Sequence, residues 1–274
     1  IEANPRASRT VPFVSKATGV QLAKAAVMIG LGKSIAELKA EGYLPKNMDG
    51  ASLPQNTAIA VKAAVLPFSR FRTPEGVVVD SLLSPEMRST GEVMGLDTLY
   101  DTAFAKAQAG AGSPLPTEGK VFVSVANHDK RNVIIYAKML EQLGFEIVST
   151  GGTADVLRRN GVNSTVASKF AEANGQHSIV DMVRNGEIDL ILNTPAGGAA
   201  RSDGYEIRAA AVSVGCPVMT TISEFAAAVQ AITALRERSW EIINLQEHGE
   251  FLRTASTREQ GQDKGEQVRE GELS

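Results

Sequence analysis

The sequence has only one cysteine, Cys216, and three histidines. A single cysteine cannot form a disulfide within the chain, so a disulfide-stapled fold is excluded and a reducing cytoplasm is favoured. In its Gly-Cys-Pro-Val-Met setting, Cys216 is interpreted as a small buried residue rather than as a nucleophile. His128 and His248 have no ligand partners at metal-site spacing, and His177 is interpreted as a hydrogen-bonding loop residue.

Long apolar runs and blocks of positive charge are also missing. No apolar run approaches the roughly 20 residues that a membrane-spanning helix needs, and the first residues do not form a signal peptide. The formal net charge is -3, with no lysine- or arginine-rich block, which argues against nonspecific nucleic-acid binding. These absences predict a globular cytoplasmic protein without membrane or nucleic-acid partners. Because the chain starts with Ile1 rather than methionine, we expect its natural N-terminus to lie upstream.

The chain does contain enough apolar residues to build real cores. They make up 43% of its 274 residues, which suits one large or two ordinary domains. The small, turn-forming segment 110–116 predicts a domain boundary, and the polar composition beyond His248 predicts a disordered tail. We therefore predict a first domain over 1–110, a linker over 111–118, a second domain over 119–248 and a tail over 249–274.

The first domain shows local helix signals. Apolar residues from Leu22 to Ile29 recur at helical spacing, and Ser34 with Glu37 has the capping-box pattern of the next helix. A strand near 61–68 and a helix near 98–109 follow.

Apolar strands alternate with amphipathic helices in the second domain. Strands are predicted at 121–125, 145–149, 163–167, 188–193 and 217–221, and helices near 130–143, 154–160, 178–185, 205–214 and 224–235. This order predicts an α/β fold with a doubly wound parallel sheet covered on both faces. Such sheets bind ligands beyond the carboxyl ends of their strands.

The most distinctive stretch is 149–153, Ser-Thr-Gly-Gly-Thr, which follows an apolar strand and precedes a helix expected to begin near Ala154. Backbone N–H groups, hydroxyls and glycines at a helix N-terminus favour a phosphate pocket that includes Gly152. An ordinary βα turn, with glycines needed only for geometry, is the alternative.

Other polar residues follow the remaining strands and would meet this stretch at one edge of the sheet. The predicted pocket combines lysines, hydroxyls and an amide, which suit a phosphorylated small molecule. Its members are Ser124, Lys130, Thr150, Thr153, Lys169, Asn193 and Thr194. For each lysine taken alone, an exposed surface role is the alternative.

The first residues form a second candidate site. If residues 1–4 form a strand, Glu2 and Asn4 share one face, and their oxygens suit Mg²⁺ held together with nucleotide phosphates. Arg6 and Arg9 could clamp transferring oxyanions. A polar strand end with surface arginines is the alternative.

Residues 2–19, Glu-Ala-Asn-Pro-Arg-Ala-Ser-Arg-Thr-Val-Pro-Phe-Val-Ser-Lys-Ala-Thr-Gly, resemble the end of the second ATP-grasp domain in the carbamoyl-phosphate synthase large-subunit family. Residues 83–95 resemble a second stretch of that family. The resemblance implies that Glu2 and Asn4 are divalent-metal ligands and that Arg6 and Arg9 lie near the carbamate and its phosphate. It implies a partial ATP-grasp segment ahead of the doubly wound domain.

The second domain resembles the methylglyoxal-synthase-like domain, and in particular the allosteric domain that follows the second ATP-grasp unit in the same family. The motifs at 149–154, 185–189, 193–195 and 203–208 carry this resemblance, which covers about residues 1–248 in all. It implies a pocket for the phosphate of uridine or inosine monophosphate (UMP or IMP), with ornithine bound elsewhere in some members. The implied phosphate positions are Lys130, Thr150, Thr153, Lys169 and Asn193.

Two features depart from the family pattern. The stretch 170–180 replaces a shorter Gly-Arg-Pro loop, so the choice of effector stays open. Methylglyoxal synthases have a catalytic aspartate in this region, whereas this chain has Gln176, which cannot act as a carboxylate base. Lyase chemistry is therefore disfavoured, and a stand-alone effector-binding or methylglyoxal synthase-type domain is the alternative function.

The resemblance also implies the parent activity. That ligase makes carbamoyl phosphate from ATP, bicarbonate and ammonia for pyrimidine and arginine biosynthesis, with a glutaminase small subunit as its partner. ATP is its substrate, Mg²⁺ or Mn²⁺ its metal, and K⁺ a further cation that it could use. Oligomerisation through the allosteric domain is expected. Because the chain has only the end of an ATP-grasp fold, we expect no synthase activity from it alone.

Overall fold

A computed structural model describes residues 8–46, 58–71, 79–83, 85–168, 178–194 and 197–248. The chain divides into two compact units. The first is built from the described residues within Ile1–Ala60, Leu96–Leu99 and Trp240–Ser274, and the second from those within Val61–Gly95 and Tyr100–Ser239.

The first unit contains three short helices, α1 (Thr10–Thr18), α2 (Leu22–Gly30) and α3 (Ile35–Ala40). The predicted capping box is confirmed, since the Ser34 hydroxyl accepts a hydrogen bond from the Glu37 N–H and the Glu37 carboxylate accepts one from the Ser34 N–H. Leu38 is fully buried on α3.

A two-stranded sheet and a helix follow: β1 (Ile59–Val65), β2 (Gly91–Asp97) and α4 (Tyr100–Gly110). A Cβ atom on Gly95 would lie 1.9 Å from the carbonyl oxygen of Ala103 and 2.6 Å from the Ala107 nitrogen. Gly95 therefore lets β2 lie against the backbone of α4.

The centre of the second unit is a five-stranded parallel sheet in the order β5-β4-β3-β6-β7. Its strands are β3 (Lys120–Ser124), β4 (Glu146–Ser149), β5 (Thr165–Val166), β6 (Leu190–Asn193) and β7 (Val218–Met219). The helices between and after them are α5 (Val133–Gln142), α6 (Gly151–Arg159), α7 (Ile179–Arg184), α8 (Gly197–Val214) and α9 (Ile222–Glu237).

Apolar residues cover both faces of this sheet. Val121 and Val123 of β3 pack in a cluster with residues of α4, α5 and α9. Phe122, which points the other way because side chains alternate along a strand, packs with residues of α7 and α8. The predicted α/β, doubly wound parallel sheet is confirmed.

Two helices start earlier than the sequence predicts. Helix α6 begins at Gly151 rather than near Ala154, and α8 begins at Gly197 rather than near Tyr205. The two glycines of the stretch 149–153, which the sequence places before the helix, are therefore helical. Gly151 and Gly152 lie in the first turn of α6, and Gly204 lies inside α8.

The strand order fixes where a ligand crevice can lie. The chain passes from β3 to β4 on one side and later returns to place β6 on the other side of β3. The crevice beyond the carboxyl ends of β3 and β6 is therefore a topological switch point, the usual ligand position in open parallel sheets. Within the described part of the chain, no helix combines the length and the apolar character needed to cross a membrane.

Candidate phosphate-binding site

The sheet register brings polar residues together at one edge. Ser124, the last residue of β3, is the pairing partner of Asn193, the last residue of β6. On the other side of β3, Val123 pairs with Ser149, which ends β4. Three neighbouring strands therefore end in hydroxyl or amide side chains.

Hydroxyl groups from these strand ends form a connected network. The Ser124 and Thr150 hydroxyls are 3.3 Å apart, and the Thr150 hydroxyl donates to that of Thr153 over 3.4 Å. The backbone N–H of Val125 donates to the Thr153 hydroxyl at 3.5 Å, and that of Ala126 donates to Thr194 at 2.8 Å. The loop after β3 is thus tied to the ends of β4 and β6.

This network lies at the beginning of α6. Thr150 is the residue before the helix, and its side chain does not cap the helix backbone. A helix N-terminus presents N–H groups and partial positive charge, which favour an anion. The Thr150 hydroxyl therefore lies where an anion would contact both the hydroxyls and the helix.

Lys130 supplies positive charge at the same place. A Cβ atom on Gly152 would lie 3.0 Å from the Lys130 ammonium nitrogen. The ammonium group therefore lies over the first turn of α6, and the glycine leaves room for it. A lysine ammonium is a compact charge that suits an anionic oxygen.

Ser149 adds an unsatisfied polar atom. Its side chain is fully buried, and among the described residues its hydroxyl oxygen has no hydrogen-bond partner. Buried polar atoms without partners are rare in folded proteins. Ser149 begins the stretch 149–153 that the sequence predicts as a phosphate pocket, although no separate ligand contact was predicted for it.

Sequence reasoning also missed an ion pair beside Asn193, between the buried Arg208 and the partly exposed Asp80. Arg208 on α8 is fully buried, and one of its terminal nitrogens donates to the Asn193 Oδ1 at 2.7 Å. Its Nε and other terminal nitrogen donate to the two carboxylate oxygens of Asp80, at 2.8 and 2.7 Å. Arg208 lies in the motif 203–208 that resembles the family. No sequence signal links it to Asp80, which is 128 residues away.

The other predicted site residues have different outcomes. Glu2, Asn4, Arg6 and Lys169 lie outside the described residues, as do Gln176 and His177. Arg9 is exposed and directly precedes α1, where its side chain does not cap the helix. The roles predicted for these residues stay predictions.

Cys216 is unsuited to nucleophilic chemistry. Burial, with a smaller effect from nearby Asp189, raises the pKa of its thiol to about 12. The thiol donates a hydrogen bond to the Ile188 carbonyl at 3.3 Å. At neutral pH it is therefore the unreactive thiol rather than the thiolate.

The histidines have local contacts. His248 is buried, with Nε2 lying 3.3 Å from the Ala17 carbonyl oxygen, whereas His128 is exposed and lies 3.4 Å from the Asp129 carboxylate. The described residues contain no group of three or more His, Cys, Asp or Glu side chains arranged to hold a metal ion.

Comparisons with known proteins identify sequences similar to this chain. The family model of the MGS-like domain matches residues 132–220. The chain is 66% identical over 265 residues to a carbamoyl phosphate synthase large chain from Kocuria rhizophila, covering 96% of this chain and 24% of that protein. The large chains of Pseudarthrobacter chlorophenolicus and Streptomyces coelicolor are 66% and 56% identical over 256 and 255 residues, in each case covering 92% of this chain and 23% of the relative.

The chain spans about a quarter of the length of the curated relatives it matches. The relationship predicted from the motifs is confirmed: nearly the whole chain matches the C-terminal portion of carbamoyl phosphate synthase large chains, and it contains an MGS-like domain. The ATP-grasp assignment of the first residues stays a prediction.

Proposed function

We propose that this chain, a relative of carbamoyl phosphate synthase large chains with an MGS-like domain, is the effector-binding part of such an enzyme. Its doubly wound domain binds the phosphate group of a nucleotide, UMP or IMP, beyond the carboxyl ends of β3, β4 and β6. The hydroxyl network of Ser124, Thr150 and Thr153 at the start of α6 is the observation that carries this proposal.

The chemistry of the site supports an anion over a neutral ligand. Hydroxyls can donate to phosphate oxygens, the N-terminus of α6 favours negative charge, and the Lys130 ammonium lies over the first helical turn. Asn193 adds an amide on the neighbouring strand. Lys169 is proposed as a second cation at this site.

The site has features of binding rather than of catalysis. Its described members are hydroxyls, an amide and a lysine, and none is a carboxylate that could act as a general base. Cys216 is kept as a buried thiol. A regulatory role therefore suits these residues better than proton abstraction does.

We also propose a catalytic contribution from the first residues. In the parent ligase, which makes carbamoyl phosphate from ATP, bicarbonate and ammonia, Glu2 and Asn4 hold Mg²⁺ or Mn²⁺ at the second ATP site. Carboxylate and amide oxygens are ligands that such hard cations accept. Arg6 and Arg9 neutralise charge on the carbamate phosphate. When bound, the metal neutralises the nucleotide phosphates.

The partners belong to the same proposal. They are a glutaminase small subunit, nucleotide effectors, ornithine at a separate site, and further copies of the large chain through the MGS-like domain. A cytoplasmic location and roles in pyrimidine and arginine biosynthesis go with this assignment.

Calorimetric titration of the folded 274-residue chain with UMP, IMP and ornithine tests the effector site. We expect at least one of the two nucleotides to bind and inorganic phosphate to compete with it. Ornithine, which lacks phosphate, should not compete at this pocket. Failure of every phosphorylated ligand to bind a sample shown to be folded by circular dichroism would overturn the proposal.

A further inference from the structure

We propose that Arg208 and Asp80 are positioning residues of the phosphate site. Arg208 fixes the side-chain amide of Asn193 so that its NH₂ group is presented to an anionic ligand, and Asp80 fixes Arg208. This inference rests on the proposed function, because it assigns roles within the same pocket.

The burial of Arg208 is the first step of the argument. Its side chain is fully buried, yet a guanidinium is charged at any ordinary pH and needs partners for its donors. The Asp80 carboxylate accepts hydrogen bonds from two N–H groups of the guanidinium, at 2.8 and 2.7 Å. The Asn193 Oδ1 accepts one from a third N–H group, at 2.7 Å. The planar fork fixes the direction in which the remaining terminal nitrogen points.

The orientation of the Asn193 amide follows from this contact. A guanidinium can only donate, so the group of Asn193 that faces Arg208 must be the oxygen, Oδ1. The NH₂ group therefore points away from Arg208, and no hydrogen bond joins it to another described residue. Asn193 pairs with Ser124 at the end of the sheet, beside the hydroxyl network. An NH₂ donor there suits a phosphate oxygen.

Gly204 shows how closely this arrangement is packed. A Cβ atom on Gly204 would lie 2.2 Å from a terminal nitrogen of Arg208 and 2.6 Å from the Asn193 Oδ1. A side chain at this position of α8 would collide with both groups of the contact. The glycine thus leaves space for the hydrogen bond between Arg208 and Asn193.

Asp80 lies outside the part of the sequence that the MGS-like family model matches. It precedes β2, well before the MGS-like match at 132–220, although it belongs to the same compact unit. If it orients Asn193 through Arg208, the segment 79–83 is part of the binding site. Phosphate binding must then stabilise the docked position of that segment, because the coupling between two linked equilibria is reciprocal.

A double-mutant cycle on the 274-residue protein tests the contacts from Asp80 through Arg208 to Asn193. Inorganic phosphate and UMP are the probes. Asp80→Asn should weaken binding about tenfold, within the range of coupling inside one hydrogen-bond network. In an Asn193→Ala background, Asp80→Asn should change the affinity little, because its effect acts through Asn193. If Asp80→Asn weakens binding by the same factor in the Asn193→Ala background as in the unmodified chain, Asp80 does not act through Asn193 and the inference is wrong.

Asp101→Asn is the matched control. Asp101 pairs with Arg238 at 2.8 Å in the same compact unit, and neither residue is among those of the pocket. Its substitution should leave the affinity for phosphate unchanged. An effect as large as that of Asp80→Asn would show a general response to losing an ion pair and would overturn the inference.

A measurement on the unmodified chain covers the case in which Asp80→Asn does not fold. Hydrogen exchange should slow in the peptide containing residues 79–83 when phosphate is added, as well as in the peptide containing 149–154. Protection of the second peptide alone would overturn the role of Asp80 while leaving the phosphate site in place. If the unmodified chain binds neither probe, both the site and this inference fail.

Discussion

At the scale of single residues, Lys130 tests whether charge matters in the pocket. Lys130→Met should weaken phosphate binding roughly tenfold, because hydrogen bonds to charged groups contribute about 1.5–3 kcal/mol and this side chain is partly exposed. The binding constant should also depend less on salt concentration. Calorimetry at two ionic strengths measures both effects.

Lys138→Met is the control for Lys130, because Lys138 is exposed on α5. Its loss should not change phosphate affinity. Equal affinities of the Lys130→Met variant and the unmodified chain would remove Lys130 from the site.

Glu224, in the first turn of α9, gives a pH-dependent prediction. Burial raises the pKa of its carboxyl, while a hydrogen bond from the Thr220 N–H partly opposes the shift. The folded state therefore holds the proton more tightly than the unfolded state does, and this carboxyl's contribution to stability falls as pH rises through the raised pKa. Glu224→Gln removes this pH-dependent loss of stability. It keeps an oxygen that can accept the hydrogen bond from the Thr220 N–H. The unfolding free energy of the variant, relative to the unmodified chain, should rise between about pH 4 and pH 8.

Denaturant unfolding across that pH range measures the difference. Glu237→Gln, at the exposed end of the same helix, serves as the control and should show no such trend. The raised pKa of Glu224 would be contradicted if the unfolding free energy of Glu224→Gln, relative to the unmodified chain, stays constant or decreases as pH rises.

At the residue scale, the sequence indicates which residues follow a strand but not which remote residues contact them. Ser124, Thr150 and Asn193 were placed at one edge because the ends of parallel strands meet there. The sequence shows Arg208 only as a cation on a predicted helix. Its contact with Asp80 depends on the tertiary structure, because the two residues are 128 positions apart. A single sequence holds no local signal for that pairing.

At the scale of elements, Gly95 tests the packing of β2 against α4. Gly95→Ala would place a methyl group 1.9 Å from the Ala103 carbonyl oxygen. Because both sides of this contact are backbone, relief requires moving a strand or a helix, and we expect a loss of about 1–3 kcal/mol in unfolding free energy.

Gly110→Ala is the matched control, because a Cβ atom there would make an ordinary 3.5 Å contact with Val93. Denaturant unfolding of both variants compares the two positions. A Gly95→Ala variant as stable as Gly110→Ala would show that the close approach is absent in solution.

The elements themselves were largely predictable. The alternation of apolar segments with amphipathic helical segments identified the strands of the parallel sheet. The Ser34 capping box marked the start of α3. The outer strands β5 and β7 are shorter than predicted and lie at the two edges of the sheet. The starts of α6 and α8 were missed because glycine usually weakens a helix, whereas here glycines leave room for Lys130 and Arg208.

At the scale of the whole molecule, the proposed site includes residues outside the MGS-like match. That match covers 132–220, while Ser124 and Asp80 lie before it. In the structure, residues Val61–Gly95 and Tyr100–Ser239 form one compact unit. The predicted boundary at 111–118 stays a prediction. Truncating the chain to 119–248 would remove Asp80 and leave the buried Arg208 without this carboxylate.

The central claim is that the hydroxyls at the start of α6 hold an effector phosphate. The most direct test is calorimetric titration of UMP and IMP into the 274-residue chain and its Thr150→Ala, Thr153→Ala double variant. Thr233→Ala is the control, because the Thr233 hydroxyl donates to Val229 within α9 and lies outside the pocket. We predict saturable nucleotide binding by the unmodified chain and the control, and at least tenfold weaker binding by the double variant, since two hydrogen bonds to a charged group are lost. In a complete synthase, the double variant should lose nucleotide regulation and keep catalysis. Equal nucleotide affinity in the double variant and the unmodified chain would contradict the account.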